Sequence, residues 1–331
     1  MNILFCSVGR RCALLKDFRN TLGDRVHIVV TDNSLYAPAL TFADKSYRVP
    51  LITDENYIPT ILEICRREKI DAVTTLIDPE IAILAEHRSE FEELGVTVLA
   101  PYLETARLCF DKYEMSKFLT EKGINTVRTY GSFDDFKAGF DKGEITFPVF
   151  VKPRCGSGSV GARKVENMEL LKDLTDRDET LIIQELMTGG DMDADIYVDT
   201  ISGEPVAIFS KKKISTTIGG ANKTISFKDP ALFDFVKDAL KAFKFCGPLD
   251  MDLFYQDGKY FLSEVNPRFG GAYLHAYGAG VDFVKLIYNN VAEKKVNDPV
   301  IGEYEENVVM MMYDSVVIEK LKNLEERMEE I

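Results

Sequence analysis

"VKPRCGSGSVGARKV", residues 151–165, carries Gly156, Gly158 and Gly161 at the spacing G-x-G-x-x-G. Two kinds of phosphate grip use such glycines, and they imply different folds. In a dinucleotide-binding turn the glycines follow a strand and open a helix, whose N-terminus receives the pyrophosphate. Here the glycines run into "ARKV", which is strand-like, and the helical pattern "NMELLKDLTD" begins only at Asn167. No Gly-Lys-Ser/Thr closes the stretch, which excludes a Walker A loop. What remains is a hairpin with the tip Gly156, Ser157, Gly158, Ser159 and Gly161. Such a tip is either a bare surface hairpin or a lid that donates backbone N–H groups to phosphates where a Cβ would collide.

Nearby lysines bear on that choice. Lys152 lies on the apolar strand "FVKP", where an unpaired ammonium is costly. Lys112 sits in the first turn of "DKYEMSKFLTEKG", where the helix dipole disfavours a cation. Singly each fits an ordinary surface lysine; together with the hairpin they make a set of cations for a polyphosphate. The helix itself has Asp111 as N-cap, Glu114 as the other half of a capping box and Gly123 at its end.

Upstream, "NILFCSV", "VHIVVTD", "DAVTTLID" and "VTVLAP" alternate with helical patterns, the last of them "PEIAILAEHRSEFEEL". That alternation predicts a parallel α/β sheet with ligands at the strands' carboxyl ends, near Gly9 to Arg11, Asp32 and Asp78 to Glu80. Beyond residue 180, "TLIIQELM", "MDADIYVDT" and "PVAIFSKKKI" read as an antiparallel meander. A strand in "NVVMMMYDSVVI" and a charged terminal helix in "EKLKNLEERMEEI" follow near the end.

"PLDMDLFYQDGKYFLSEVNPRFGG" (248–271) is the most informative stretch. Glu264, Asn266 and Arg268 alternate and so share one face of a strand. Two oxygen ligands and a cation suit Mg²⁺ bridging phosphates, with Asp252 on the partner strand as third ligand. A two-residue turn at Asp257-Gly258 would put Asp252 and Glu264 on opposite faces, and a three-residue loop would put them on one. Metal binding therefore requires the longer loop.

Bulk properties set the frame. The chain has 331 residues, 46% of them apolar, and a net charge of −14, which argues against nucleic acid or an acidic membrane as main partner. No apolar run approaches the roughly 20 residues of a spanning helix. The six cysteines form no C-x-x-C pair and the three histidines do not cluster, so a zinc site is not expected. A reduced, cytoplasmic protein is the simplest expectation.

With these motifs in order, "DKYEMSKFLTEKGI", "FPVFVKPRCGSGSVGARKV", "IIQELMTGGDMDADIYV" and "DMDLFYQDGKYFLSEVNPRFGG", the sequence resembles the ATP-grasp superfamily, in its carbamoyl-phosphate-synthase-like branch. The resemblance implies a Rossmann-like domain (1–110), a small lobe with the phosphate loop (111–183), a large lobe with the metal site (184–298) and a C-terminal strand and helix (299–331). It implies ATP and Mg²⁺ (two ions, replaceable by Mn²⁺), with Lys112 and Lys152 on the phosphates and Gly156 to Gly161 as the closing loop. Gln184, Glu185, Leu186 and Met187 would hold the adenine and Asp191 the ribose. Asp252, Glu264 and Asn266 would bind the metal and Arg268 the transferred phosphoryl group. Lys211 or Lys213 would approach the γ-phosphate, with Lys212 and Lys223 as alternatives.

The chemistry so implied is a ligation. ATP phosphorylates a carboxylate, and an amine or similar nucleophile attacks the acyl phosphate, releasing ADP and phosphate. The second substrate would meet Arg10, Arg11, Asp78, Glu80, Tyr273 and His275, the two acids suiting an ammonium and the arginines a carboxylate or phosphate. His275 fits packing or hydrogen bonding better than a general base. Small-molecule carboxylate and amine substrates are the expected partners, and homodimerisation is a family tendency. A non-catalytic ATP-binding module and an NAD-dependent oxidoreductase are the competing expectations. Complete carbamoyl-phosphate synthesis is not expected, because that enzyme resembles two such modules fused with further domains.

Overall fold

The computed structural model describes residues 1–156, 161–217 and 220–329, and three sheets organise them. The first is built from β1 (Asn2–Cys6), α1 (Cys12–Leu22), β2 (His27–Asp32), β3 (Lys45–Arg48), α2 (Tyr57–Arg67), β4 (Ala72–Thr75), α3 (Asp78–Glu86), α4 (Arg88–Glu93), β5 (Thr97–Val98) and α5 (Leu103–Phe110). Its strands pair in parallel, β1 lying between β2 and β4. Ile28, Val29 and Val30 are buried on both faces, as continuous apolar strands of a covered parallel sheet must be. Asp32 closes the turn after β1 by accepting the Gly9 N–H at 2.9 Å, so it serves the turn and does not line the cavity described below. The single helix expected over 79–94 is broken at His87 into α3 and α4.

The second sheet comes from α6 (Lys112–Glu121), β6 (Thr129–Tyr130), α7 (Phe133–Asp141), β7 (Val149–Pro153), β8 (Arg163–Val165), α8 (Met168–Arg177) and β9 (Leu181–Glu185), in the order β6-β9-β7-β8. β7 and β8 pair antiparallel, so Lys152 stands at the root of a hairpin, whose tip residues Ser157, Gly158, Ser159 and Val160 lie outside the described residues. Asp111 caps α6, accepting the N–H groups of Tyr113 and Glu114 at 3.1 Å. Glu114 turns to Arg154 and Lys117 instead of closing a capping box. Arg154, past the end of β7, also grips Asp111 at 2.6–2.8 Å, and this fixes Lys112 against the hairpin root.

The third sheet holds β10 (Gly190–Val198), β11 (Pro205–Thr217), β12 (Gly220–Phe227), β13 (Gly247–Gln256), β14 (Lys259–Asn266) and β15 (Val309–Met311), with α9 (Pro230–Leu240), α10 (Tyr273–Gly278) and α11 (Phe283–Val291) between them. Its antiparallel order is β14-β13-β10-β11-β12-β15. The expected three-strand meander therefore splits. β9 stays in the second sheet, and β10 pairs with β11 and β13. The crossover passes so close to β13 that a Cβ on Gly189 would stand 2.1 Å from the Tyr255 carbonyl oxygen, a path only glycine can follow.

The chain returns to its start at the end. α12 (Leu321–Arg327) is shorter than the expected terminal helix, because β16 (Met328–Glu329) pairs in parallel with β3. Glu329 holds that strand with Lys45 at 2.5 Å and Arg67 at 2.8 Å. One core joins the first and third sheets, with Phe5, Phe18 and Leu15 packing toward Phe269, Tyr273 and Phe283. The second sheet has its own core around Phe136, Val149, Val151 and Ile183. No described helix is long and apolar enough to cross a membrane.

Candidate active site

A cavity of about 970 Å³ opens between the second and third sheets and reaches the first. Lys152, Gly156, Gln184 and Glu185 line it from the second sheet, and Leu186 and Met187 from the crossover. The third sheet adds Asp191, Asp193, Lys213, Asp252, Glu264, Asn266 and Arg268, and the first adds Arg11 and Asp78.

The turn between β13 and β14 is the two-residue kind, with Asp257 and Gly258 both in the left-handed region (φ 51° and 78°) and Gln256 opposite Lys259. By turn length alone Asp252 and Glu264 would face apart. They do not, because the register shifts by one between Leu253, opposite Leu262, and Asp252, opposite Glu264. This bulge at Ser263 restores the shared face, so the longer loop expected from sequence is unnecessary.

The same register aligns a row across four strands. Glu264 lies opposite Asp252, Asp252 opposite Asp193, and Asp193 opposite Lys211. Like charges directly opposite on a sheet are destabilising, so the row needs compensation. Lys213 supplies most of it, at 2.5 Å from Asp252, 2.8 Å from Asp193 and 3.0 Å from Asp191. Burial would lower the Lys213 pKa, but these three acids outweigh it and raise it. Burial likewise pushes Asp252 up, and Lys213 overrides that to hold it below the usual carboxylate range. Glu264 stands between Lys112 and Lys152, 3.6 Å from each. Lys112 also donates to the Gly156 carbonyl at 2.5 Å. Burial lowers the Lys152 pKa, Glu264 partly opposing it. Arg268 makes a two-point pair with Asp78, Nε at 2.7 Å and Nη2 at 2.9 Å.

Several expected residues lie elsewhere. Lys211 is sealed beneath the cavity, paired with Asp195 and 3.8 Å from Asp250, so it cannot touch a ligand there. Lys212 points to the other face, over the Phe227 ring, and Lys223 is exposed away from the cavity. Glu80 is fully buried, hydrogen-bonded by Tyr57 and Thr75, and burial raises its pKa, so it is no ammonium site. Tyr273 is a core residue whose hydroxyl accepts the Phe283 N–H at 2.9 Å. His275 is buried between Thr224 Oγ1 (2.7 Å) and the Val308 carbonyl (3.1 Å), and burial lowers its pKa to about 4. Arg10 is exposed, and neither it nor Gly161 lines the cavity. Asp193, Asp195 and Asp250 were missed from the sequence, although the Asp191, Asp193, Asp195 alternation places three acids on one strand face.

Whether a magnesium ion suits this wall can be judged from its donors. Asp252 and Glu264 are hard oxygen donors side by side, and the Asn266 amide reaches Asp252 Oδ2 at 3.2 Å. No group of three or more His, Cys, Asp and Glu at metal-binding spacing occurs among the described residues. That combination fits Mg²⁺ held by one or two carboxylates plus substrate phosphates, and does not fit an all-protein cage.

The fold sets two lobes about one cavity walled by carboxylates and lysines. A family model described as "PylC-like, N-terminal domain" matches residues 3–99, and one described as "ATP-grasp domain" matches 109–272. The chain belongs to the ATP-grasp superfamily and to its class of ATP-dependent carboxylate–amine ligases. It is 24% identical to carbamoyl-phosphate synthase of Methanobrevibacter smithii, over 81% of this chain and 75% of that one. It is also 24% identical to phosphoribosylamine–glycine ligase of Fusobacterium nucleatum, over 63% of this chain but only 55% of that one. The biotin carboxylase domain of Hydrogenobacter thermophilus 2-oxoglutarate carboxylase, solved with Mg·ADP, ADP and bicarbonate, superposes with a TM-score of 0.71. There the identity is 16%, over 93% of this chain and 73% of that one, a likeness of fold.

Proposed function

We propose that this cavity holds Mg·ATP, and that the residues around Glu264 and Arg268 phosphorylate a small-molecule carboxylate for attack by an amine. The observation that carries the assignment is the pair Asp252 and Glu264, set side by side within reach of Lys112, Lys152 and Lys213. Lys112 and Lys152 would exchange their contacts to Glu264 for contacts to the phosphates, and the loop from Gly156 would cover them. Gln184 to Met187, which line the cavity, would hold the adenine, and Asp191, 3.0 Å from Lys213, would meet the ribose. Asp252, Glu264 and Asn266 would hold Mg²⁺, in two ions or their Mn²⁺ equivalents, which neutralises charge on the phosphates when bound.

Arg268 is oriented by Asp78 so that its guanidinium fork faces the cavity beside Asn266. Fixed there, it stabilises charge on the transferred phosphoryl group without reorganising during the reaction. Phosphorylation turns a poor leaving group into a good one, and closing the lobes excludes water from the acyl phosphate. Lys213, and not Lys211, is the cation of this strand that lines the reacting end. Residues 1–110, 111–183, 184–298 and 299–331 are the units this assignment uses.

ADP release with Mg·ATP over a matrix of carboxylates and amines tests it. Release that requires one member of each class supports the assignment. Release with ATP alone at the same rate, or none with any pair, overturns it.

A further inference from the structure

Arg11 differs from the other cations of the cavity. Lys112, Lys152, Lys213 and Arg268 each lie within 4 Å of a carboxylate. Arg11 has no such partner among the described residues, where its one side-chain hydrogen bond runs from Nη1 to the Gly270 carbonyl at 3.2 Å. Asp78 is taken up by Arg268, and Asp250 faces Lys211. A guanidinium in a protein wall with most donors unused is unfavourable unless something else meets them. Burial, and then repulsion from Arg268, lowers the Arg11 pKa to about 10, which leaves it charged at neutral pH.

Two further features point the same way. Arg11 is the N-cap of α1, an 11-residue helix with no side-chain cap and no acid in its first turn, so the helix's positive end adds to the guanidinium's field. Asp78 and Asp250 act on Arg11 as well as Arg268, but each is within 4 Å of another cation, and Gly271, beside Nη1, presents no side chain that would cover it.

We infer that Arg11 is the specificity-determining residue of the ligation, gripping a non-reacting oxyanion of the acceptor amine. The ligated product then keeps a free carboxylate or phosphate. This rests on the ligase assignment above, and it favours acceptors such as amino acids or phosphorylated amines over neutral amines. Asp78 and Glu80 are not the acceptor's anchor, because one is paired and the other sealed.

The test measures ADP release by wild type, Arg11→Met and Arg11→Lys with acceptors that differ in one group. One arm sets an amino acid against its amide, the other a phosphorylated amine against its dephosphorylated form, so the arms tell carboxylate from phosphate. Wild type should prefer one anionic acceptor by about 100-fold in kcat/KM, the scale of a buried charge-assisted pair. Arg11→Met should lose that preference through acceptor KM with the KM for ATP unchanged, and Arg11→Lys should regain part of it. Equal use of charged and neutral acceptors by wild type, or a preference that survives Arg11→Met, overturns the inference. A calorimetric titration of the Mg·ADP-loaded protein with glycine and with inorganic phosphate separates the two claims. Tighter binding of either by wild type than by Arg11→Met supports the Arg11 site even where no pair releases ADP, which would count against the ligase alone; equal binding overturns the site.

Discussion

Lys211 and Lys213 stand two residues apart on one strand and point to the same side of it, yet they occupy different worlds. Lys211 is wholly enclosed with Asp195 and Asp250, and no ligand can reach it. Lys213 keeps 12% of its side chain exposed at the cavity and is shared among Asp191, Asp193 and Asp252. The first pair holds the sheet together beneath the site, whereas the second lies among the acids that line the cavity. Burial, and not residue type or strand parity, separates structure from chemistry here.

The largest expected effect lies on the exposed side of that comparison. Glu264→Ala or Arg268→Ala should lower ADP release by about 1,000-fold or more, as loss of preorganised charge stabilisation does, with nucleotide binding partly kept. Quenched-flow ADP detection alongside nucleotide titration reads both quantities, and loss of less than tenfold would remove the two residues from the chemistry. Next comes Lys211→Met, which leaves Asp195 and Asp250 unpaired in the core. Breaking a buried pair in this way should cost about 3–5 kcal/mol of stability, read by urea unfolding.

Lys213→Met sharpens the contrast. It should also destabilise the fold, through unscreened carboxylates, but millimolar Mg²⁺ should restore much of the melting temperature. Lys211→Met should show no such rescue, since its acids are sealed from solvent. Equal rescue, or none in either variant, would erase the distinction drawn between the two lysines.

The smallest effect concerns His275. Its folded pKa, about 4, lies below its ordinary value of 6.5. Between those values the unfolded chain binds a proton that the folded chain does not, so stability falls as pH drops through 6.5 toward 4. The slope from this group is at most about 1.4 kcal/mol per pH unit. Unfolding curves at pH 7, 6 and 5 should show wild type losing more stability than His275→Gln, and parallel losses would contradict the burial account.

Much of this was legible in the chain itself. The glycine hairpin followed by a strand, the parallel α/β start and the acid–Asn–Arg alternation all rest on local spacing, which sequence displays directly. What sequence hid was decided at long range. The bulge at Ser263 arises from pairing between β13 and β14, and no turn residue announces it. The burial of Glu80, Tyr273 and Lys211 depends on which elements pack over them, so exposed and sealed side chains of one type look alike in a string. The return of Glu329 to β3 joins residues 284 positions apart. The acids Asp193 and Asp250 were visible as alternation, but their meaning came only when the register set them beside Asp195 and Asp252.

The most direct measurement is stoichiometric ADP and phosphate release from Mg·ATP by the wild-type protein, scanned over carboxylates and amines in pairs. The account predicts release only where a carboxylate and an amine are both present, with one ADP per ligated product and none from Glu264→Ala. A protein that binds Mg·ADP tightly yet releases no ADP with any pair would contradict it.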